Sequence, residues 1–418
     1  NIKKFCLFLV IIMIIPLTAC GNIENATISA YEENIIEIEN GQAHLPPIEI
    51  TLAAVGDIMV HGPQLQAQYD PNTGEYDFTN NFKHVEDYLH EADLAICNLE
   101  TTLAGHERGY SSYPRFNTPD ALADALKQAG FHLISTANNH TLDTGIKGML
   151  RTIDALQDRG LEVIGTRKGE NIENYIIKDV KGINIGLTAY TYESPMLGDQ
   201  RSLNGLPIPQ ESRNLINSFS YEKLDEDLIN LEATLDKMKD AGAELIVLCI
   251  HWGEEYQRPV NDYQRYIAQR LGNYGVDIIL GSHPHVLQPI ELIETSGEQG
   301  KTVVAYSMGN FLSNQRYEIL KNRYTEDGII VNIKIKKNLQ KRALAIDQVT
   351  YVPTWVNRYH FNGKVVYEIL PVVDVLANEE YYNLMDSQTL WRIENSKNNT
   401  LELIESVDVL SKQIIKSK

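Results

Sequence analysis

The sequence predicts a layered α/β domain in which many of the strands pair in parallel. From residue 48 onward, apolar strand-like runs alternate with helix-like segments, a pattern typical of layered α/β folds. The polar residues that stand out follow directly after the ends of these runs, and α/β sheets gather their ligand sites at the carboxyl ends of strands. Of the 418 residues, 43% are hydrophobic and 22% are charged, which allows a sizeable core and excludes a disordered, collagen-like or polytopic membrane protein.

The chain is strongly acidic, with a formal net charge of −19 at pH 7. It contains no dense basic cluster, which excludes general nucleic-acid binding. A protein of this charge is also repelled by anionic lipid surfaces and by polyanionic polymers. Contact with such a polymer would therefore require a local site or a metal ion.

The first 19 residues resemble a bacterial lipoprotein signal peptide. Lys3 and Lys4 precede an apolar run over 5–15, which is too short to span a bilayer comfortably. The following Leu-Thr-Ala-Cys resembles a lipobox, in which Cys20 becomes the lipidated first residue; the alternative is an uncleaved N-terminal anchor. Residues 20–47 are polar and are predicted to be a tether. The sequence thus predicts a lipid-anchored protein on the extracytoplasmic face of the cell membrane.

The first half of the domain is predicted to repeat the order strand, loop, helix. Strands are expected at 48–55, 93–97 and 131–136, and helices at 82–92 and 144–159. A further helix is expected to start at Thr118, a suitable capping residue with proline at the next position, and to end at Gly130. Cys97 ends one apolar run and Cys249 another, so both are predicted to be buried thiols outside any disulfide framework.

The second half continues the pattern as far as residue 375, where the domain is expected to end. Strands are expected at 183–189, 244–250 and 276–280, helices at 221–241 and 259–274, and shorter strands at 286–293, 302–307, 328–335 and 344–352. Residues 191–218 contain three prolines and are predicted to be an irregular segment with a functional or mobile role. The domain at 48–375 is followed by a helical extension at 376–418.

Residues that can bind a metal ion follow five of the predicted strands. They are Asp57, Glu100, Asn139, His251, and the pair His283 and His285. Carboxylate, amide oxygen and imidazole together suit Mn, Fe or Zn, whereas calcium prefers oxygen alone. Because the paired histidines flank Pro284, an extended backbone would point both rings the same way. For each residue taken alone, the alternative is a cap or a satisfied polar group, and His44 and His61 are left undecided.

Six motifs together resemble the CapA family of capsule proteins. They are Gly56-Asp57-Ile58-Met59, Asn98-Leu99-Glu100-Thr101, Ala137-Asn138-Asn139-His140 with Asp143, His251-Trp252-Gly253-Glu254-Glu255-Tyr256, Gly281-Ser282-His283-Pro284-His285-Val286 and Ser307-Met308-Gly309-Asn310-Phe311. They occur in the order seen in that family, and the resemblance covers about residues 50–315. The family is associated with poly-gamma-glutamate synthesis and export. The resemblance therefore implies a role in capsule biosynthesis, with capsule synthesis and export subunits as partners.

The CapA family in turn resembles the calcineurin-like metallophosphoesterases, which carry two metals in a four-layer αββα sandwich. This resemblance implies two divalent ions (Mn, Fe or Zn) and a ligand set of Asp57, Glu100, Asn139, His251, His283 and His285, with Glu100 as the bridge. It also implies that His140 is a general acid oriented by Asp143. Such a pair of ions polarises a phosphate and activates water, and His140 would then protonate the leaving oxygen.

Two motifs depart from the phosphoesterase pattern. Met59 stands where the first motif, Asp-x-His, has its histidine, and a thioether is a poor ligand for a hard divalent ion. Asn98-Leu99-Glu100 replaces the usual Gly-Asp of the second motif. Two functions therefore stay open. One is a metal-dependent hydrolase of a phosphoester or other cell-envelope substrate, and the other is a lipid-anchored accessory subunit that works by binding.

A loop after the second motif carries Tyr110, Tyr113 and Arg115 between glycine and serine residues. Arg115 is a candidate substrate-binding residue, and Arg201 and Arg258 are further cations that an anionic polymer could meet. The alternative for this loop is a plain surface role. A solute-binding lipoprotein is set aside, because the order of the motifs opposes it.

Overall fold

The computed structural model describes residues 37–39, 42–44, 46–297, 300–341 and 343–405. The predicted signal peptide and Cys20 lie outside these residues. The chain divides into two compact units, Asn1–Pro46 and Pro47–Lys418. In the first unit, strands β1 (Glu37–Glu39) and β2 (Gln42–His44) pair antiparallel. All further elements belong to the second unit.

The second unit alternates strands and helices, as the sequence predicts. Its strands are β3 (Ile48–Ile58), β4 (Tyr69–Asp70), β5 (Glu75–Tyr76), β6 (Leu94–Leu99), β7 (Leu133–Ser135), β8 (Glu162–Ile164), β9 (Ile176–Val180), β10 (Ile183–Tyr192), β11 (Ser194–Leu197), β12 (Gln200–Leu203), β13 (Leu206–Pro207), β14 (Ser218–Phe219), β15 (Leu245–His251), β16 (Ile278–Ser282), β17 (Ile290–Glu294), β18 (Lys301–Ala305), β19 (Asn310–Leu312), β20 (Asp327–Asn338), β21 (Ala343–Phe361) and β22 (Lys364–Pro371). Its helices are α1 (Gly62–Gln68), α2 (Thr79–Phe82), α3 (Glu86–His90), α4 (Ala121–Gln128), α5 (Gly145–Gln157), α6 (Leu224–Asp240), α7 (Asp262–Tyr274), α8 (Tyr317–Leu320), α9 (Val372–Ala377), α10 (Glu379–Leu384) and α11 (Ser387–Glu405). Short 3-10 turns occur at His106–Arg108, Gln210–Leu215, Tyr221–Lys223 and Arg323–Glu326.

Two large sheets organise the domain. In the first sheet the strand order is β22-β21-β20-β3-β6-β7-β8, with β19 also paired to β3. In the second sheet the order is β14-β10-β15-β16-β18-β17, with β9 also paired to β10. The strands at the centre of each sheet run parallel, β3, β6, β7 and β8 in the first and β10, β15, β16 and β18 in the second. Their carboxyl ends therefore gather at one edge of each sheet.

Alternate residues of the central strands face different cores, because successive side chains of a strand point to opposite faces. Leu52 of β3 and Val247 of β15 belong to one buried cluster that joins the two sheets. Ala53, the next residue of β3, packs instead with helices α2 to α5. Leu248, the next residue of β15, packs with α6 and α7. Helices thus cover the outer face of each sheet, and the predicted four-layer αββα sandwich is confirmed.

Two helices of the first half differ from their predicted bounds. The helix expected over 82–92 is the pair of short helices α2 and α3. The helix expected from Thr118 begins at Ala121, because the Thr118 hydroxyl lies 2.7 Å from the hydroxyl of Thr101 and does not cap. The predicted end at Gly130 is correct, since Gly130 follows the helix with a φ of 101°. Cys97 and Cys249 are buried and free, as predicted.

The second half is richer in strand than the sequence indicates. The segment 191–218 is not irregular throughout, since β11, β12 and β13 form a small antiparallel sheet within it. The strand expected at 344–352 continues to Phe361 and pairs with β22, which the sequence pattern did not predict. The described part of the C-terminal extension is helical, as predicted. Within the described residues no helix is both long and apolar enough to cross a membrane.

Candidate metal centre

The six predicted metal ligands meet at the carboxyl ends of the two sheets. Asp57 lies near the end of β3, Glu100 directly after β6, and Asn139 in the turn after β7, all on the first sheet. His251 ends β15, and His283 and His285 follow β16 on the second sheet. Their side chains are all buried. The candidate centre therefore lies between the sheets at the edge where the parallel strands end.

A close backbone approach holds the first ligand in place. The Asp57 backbone N–H donates to the carbonyl of Gly309 at 2.9 Å. A Cβ on the preceding Gly56 would lie 2.0 Å from that same carbonyl oxygen, so only glycine fits there. This packing explains why the first motif needs Gly56. The last motif needs Gly309 because its φ is 67° and a Cβ there would lie 2.4 Å from the carbonyl oxygen of Asp327.

Five of the side chains form two overlapping groups of donor atoms. Glu100, His283 and His285 make one group, and Asp57, Glu100 and His251 make the other. Within each group the donor atoms all lie within 4.8 Å of one another. Glu100 is common to both groups, which is the position that a bridging carboxylate would occupy.

The surroundings of the Glu100 carboxylate suit a metal ligand better than a hydrogen-bonded core residue. Both of its carboxylate oxygens are buried and have no hydrogen-bond partner. Its Oε1 lies 3.5 Å from Nε2 of His251 and 3.7 Å from Nε2 of His285. These distances are too long for hydrogen bonds, but two donors at about 2.1 Å from one tetrahedral ion lie about 3.4 Å apart. A buried unpaired carboxylate is costly, and a cation is a partner that would satisfy it.

Burial sets the protonation states of the centre. Burial, followed by the negative charges of Asp57 and Glu255, raises the pKa of Glu100 well above its usual range. Burial, followed by the neighbouring histidines, holds the pKa of both His251 and His283 well below the usual value. These two imidazoles are therefore neutral at pH 7, and a neutral imidazole is the form that binds metal.

The backbone around the two histidines differs from the expected extended conformation. His283 has a φ of 101° and His285 a φ of 56°, both in the left-handed region that residues other than glycine rarely adopt. The prediction that an extended backbone aligns the rings is therefore wrong. The ring centroids still lie only 5.8 Å apart, because the chain turns sharply through both residues. Strained backbone of this kind clusters at functional sites.

Amides surround the predicted ligands and orient them. Asn98 donates to Oδ1 of Asp57 at 2.8 Å, and Nδ1 of His285 lies 3.0 Å from the other oxygen of Asp57. Asn139 Oδ1 lies 3.1 Å from Nε2 of His251, which places this amide oxygen beside the second donor group. Asn138 donates to the carbonyl of Leu99 at 2.8 Å. Such contacts fix ring and carboxylate orientation in metal sites.

His140 and Asp143 form a buried pair beside the ligands. Nδ1 of His140 lies 2.7 Å from Oδ2 of Asp143, and the same oxygen accepts the backbone N–H of Phe116 at 2.6 Å. The edge of the Phe116 ring packs on His140, with centroids 4.8 Å apart. With Nδ1 held by the carboxylate, Nε2 is the atom that His140 can present to a substrate.

The arginines considered for anion binding have different environments. Arg115 lies on the exposed loop that precedes Phe116, and its side chain has no partner among the described residues. Arg201 is buried and pairs with Asp227 and Glu193, so it is not available to a polymer. Arg258 donates to the carbonyl of Asn399 and lies over the ring of Tyr324 at 4.2 Å. Of the three, only Arg115 is free to meet an anion.

Sequence reasoning did not assign three aromatic neighbours of the centre. The Tyr192 ring lies 4.7 Å from that of His283 and stacks over His251 at 6.2 Å. The Tyr256 ring lies 6.2 Å from that of His285. His61 was left undecided above, and burial, together with the charges of the nearby His285 and His140, lowers its pKa. Tyr192 ends β10, so its place at a strand end was the signal that could have found it.

Comparison with known proteins identifies the family. The family model described as bacterial capsule synthesis protein PGA_cap matches residues 51–315, and the chain belongs to this family. It is 28% identical over 300 residues to a capsule biosynthesis protein CapA of Bacillus anthracis, a match that covers 69% of this chain and 65% of that protein. The chain thus spans just under two thirds of that relative. It is 25% identical over 372 residues to a PGA biosynthesis protein CapA of Bacillus subtilis, covering 85% of each.

A solved structure is also similar. A phosphatase from Mycoplasma pneumoniae aligns with a TM-score of 0.42 and 14% sequence identity, covering 81% of this chain and all of that one. The four layers described above are seen in this chain itself and do not depend on that alignment.

Proposed function

We propose that this domain binds two divalent ions and hydrolyses a phosphoester in the course of capsule synthesis. The observation that carries the proposal is Glu100, a buried carboxylate without a hydrogen-bond partner that belongs to both donor groups. Asp57 and His251 would complete one site, and His283 and His285 the other, with Asn139 beside His251. The mixed oxygen and nitrogen donors favour Mn, Fe or Zn.

The chain's own residues would handle substrate and proton. When bound, the ions supply the positive charge that polarises a phosphoryl group and activates water. His140 would donate a proton from Nε2 to the leaving oxygen, because Asp143 holds its Nδ1. General acid catalysis of this kind typically contributes about 10²- to 10⁴-fold. Arg115 would attract the anionic part of the substrate from the loop beside Phe116.

The family membership supplies the biological setting of the proposal. Relatives from two Bacillus species are named for capsule and PGA biosynthesis. We infer that this chain serves poly-gamma-glutamate capsule synthesis or export together with other subunits of that machinery. The lipobox-like Cys20 and the polar tether support attachment by lipid to the extracytoplasmic face of the cell membrane.

The metal content of the purified protein tests the proposal. Elemental analysis should find close to two equivalents of divalent metal per chain, and a His283→Ala variant should lose at least one of them. His360→Ala is the matched control, because it removes an exposed histidine at the end of β21. Absence of metal from the folded protein would overturn the proposal, and metal in the protein would be followed by a phosphoester screen with added manganese.

A second candidate is an accessory subunit that binds ions and an anionic partner without turnover. Met59 favours it, because this buried thioether stands where the phosphoesterase motif has a histidine. Two bound equivalents of metal, together with tight phosphate binding and no hydrolysis of any phosphoester tested, would select this function over the first.

A further inference from the structure

His61 borders the metal centre without belonging to either donor group. It is the residue before α1, four positions after Asp57. Its ring packs edge-on against Phe116 with centroids 5.2 Å apart, and Phe116 packs in the same way against His140 at 4.8 Å. Burial, assisted by the charges of His285 and His140, lowers the pKa of His61 to about 4. The ring is therefore a neutral imidazole near both the candidate acid His140 and the predicted ligand His285.

Hydrogen bonds to one ring nitrogen select the tautomer of His61. The backbone N–H of Asn314 lies 3.3 Å from Nδ1 of His61, and a backbone N–H can only donate. Gln64 Oε1 also lies 3.3 Å from Nδ1, but it already accepts the His61 backbone N–H at 2.8 Å. If Nδ1 carried the proton, the Asn314 N–H would lose its acceptor. The tautomer that satisfies the backbone has Nδ1 as acceptor and the proton on Nε2.

The other ring nitrogen is left without a protein partner. Among the described residues no hydrogen bond to Nε2 of His61 is found. In the tautomer selected above, Nε2 is a donor and has no lone pair for a metal. An N–H donor beside a dinuclear centre suits an anionic oxygen, because hydrogen bonds to charged acceptors are short and strong.

We propose that His61 is a substrate-binding residue whose Nε2–H donates to a phosphoryl oxygen held at the metal centre. This inference rests on the proposed function, since it assumes that phosphate binds there. The chain would thus keep an imidazole close to the position where Met59 replaces the motif histidine, but would use it on the substrate and not on the metal. A neutral donor adds specificity for oxyanions without adding charge.

Two substitutions of His61 test the roles of its two ring nitrogens separately. His61→Asn retains an acceptor close to the position of Nδ1 and is a favoured residue before a helix, but it removes the Nε2 donor. His61→Gln loses that acceptor and places an amide donor near the position of Nε2. The proteins are loaded with manganese, their metal is measured by elemental analysis, and binding of inorganic phosphate is measured by calorimetry. Thermal melting confirms that each variant is folded.

The expected result is a loss of phosphate affinity without a loss of metal. The H61N protein should keep two equivalents of manganese and bind phosphate about tenfold or more weakly, the usual effect of one hydrogen bond to a charged group. The H61Q protein should bind phosphate within about threefold of the unchanged protein.

Four outcomes would overturn the inference. Unchanged phosphate affinity in the H61N protein would show that His61 serves only as a helix cap. Loss of one equivalent of manganese from the H61N protein would show that His61 is a metal ligand. Equal weakening in both variants would assign the effect to the packing of the ring. If the unchanged protein binds no manganese or no phosphate, the proposed function fails and this inference fails with it, a result that is distinct from the other three.

Discussion

Replacing Glu100 by glutamine should stabilise the metal-free protein, and metal binding to the unchanged protein should remove most of that difference. In the metal-free protein the Glu100 carboxyl group is buried without a hydrogen-bond partner and close to Asp57. Its pKa is raised by burial, so the metal-free protein must either take up a proton or hold an unpaired charge. An amide of the same shape avoids both, and its N–H can donate to Asp57. We therefore expect metal-free E100Q protein to be more stable than the unchanged protein at pH 7.5.

The size of the effect follows from the burial of the group. Breaking a buried ion pair by removing one partner costs about 3–5 kcal/mol of stability. Replacing the unpaired Glu100 carboxylate by an amide should recover about 3 kcal/mol, the lower end of this range. For a domain of roughly 370 residues, an unfolding entropy of about 2.1 cal/mol/K per residue converts about 3 kcal/mol into a rise of about 4 °C in Tm. Metal at about 100 times its Kd should stabilise the unchanged protein by about 2.7 kcal/mol and the variant by much less.

Thermal melting of both proteins, in chelator and in excess manganese, measures both effects. The variant should melt higher than the unchanged protein in chelator and should gain little from manganese. Glu255→Gln is the matched control, since it removes an exposed negative charge that acts on Glu100 but belongs to neither donor group. If E100Q protein melts lower than the unchanged protein by the same amount in both conditions, Glu100 is an ordinary structural residue and the reasoning is refuted.

Two further predictions concern the proton donor and a buried acid outside the centre. Asp143→Asn should keep the metal content and lower kcat about 10²-fold for phenyl phosphate. The loss should be smaller for 4-nitrophenyl phosphate, because its leaving group needs less protonation. Equal losses for both substrates would refute the role of His140 as acid. Burial raises the pKa of Asp327 to about 7, so the stability that this group contributes is complete below about pH 4 and is lost as the pH rises through 7. Between pH 5 and pH 8, the free energy of unfolding of the Asp327→Asn protein should therefore rise by about 3 kcal/mol relative to that of the unchanged protein. Urea unfolding of both proteins at the two pH values measures this change. The same difference between the proteins at both pH values would contradict the prediction.

Local sequence predicts the part of the centre that depends on strand ends. Asp57, Glu100 and His251 follow apolar runs that become β3, β6 and β15, and parallel pairing alone brings their side chains to one edge. The backbone of His283 and His285 could not be predicted in this way, because its left-handed turns depend on contacts with distant residues such as Asp57.

Long-range contacts also explain the other differences. Thr118 has every local feature of a helix cap, but its hydroxyl pairs with Thr101 across the site. His61 has no distinctive local pattern, since its neighbours Phe116 and Asn314 come from remote parts of the chain. The length of β21 follows from pairing with both β20 and β22, and a strand that is half exposed near its ends gives a weak apolar signal.

In the proposed function, the charge at the centre would link metal binding to anion binding. Without ions, Asp57 and Glu100 are the acidic members of the donor groups, and the exposed Glu255 lies on the adjacent loop, so an anion would be repelled. Two divalent ions carry four positive charges against two carboxylates and would reverse the sign locally. Arg201 and Arg258 cannot do this, because they are held by internal contacts. In a protein with a net charge of −19, the bound ions would therefore turn this centre into a place that attracts phosphate or an acidic polymer.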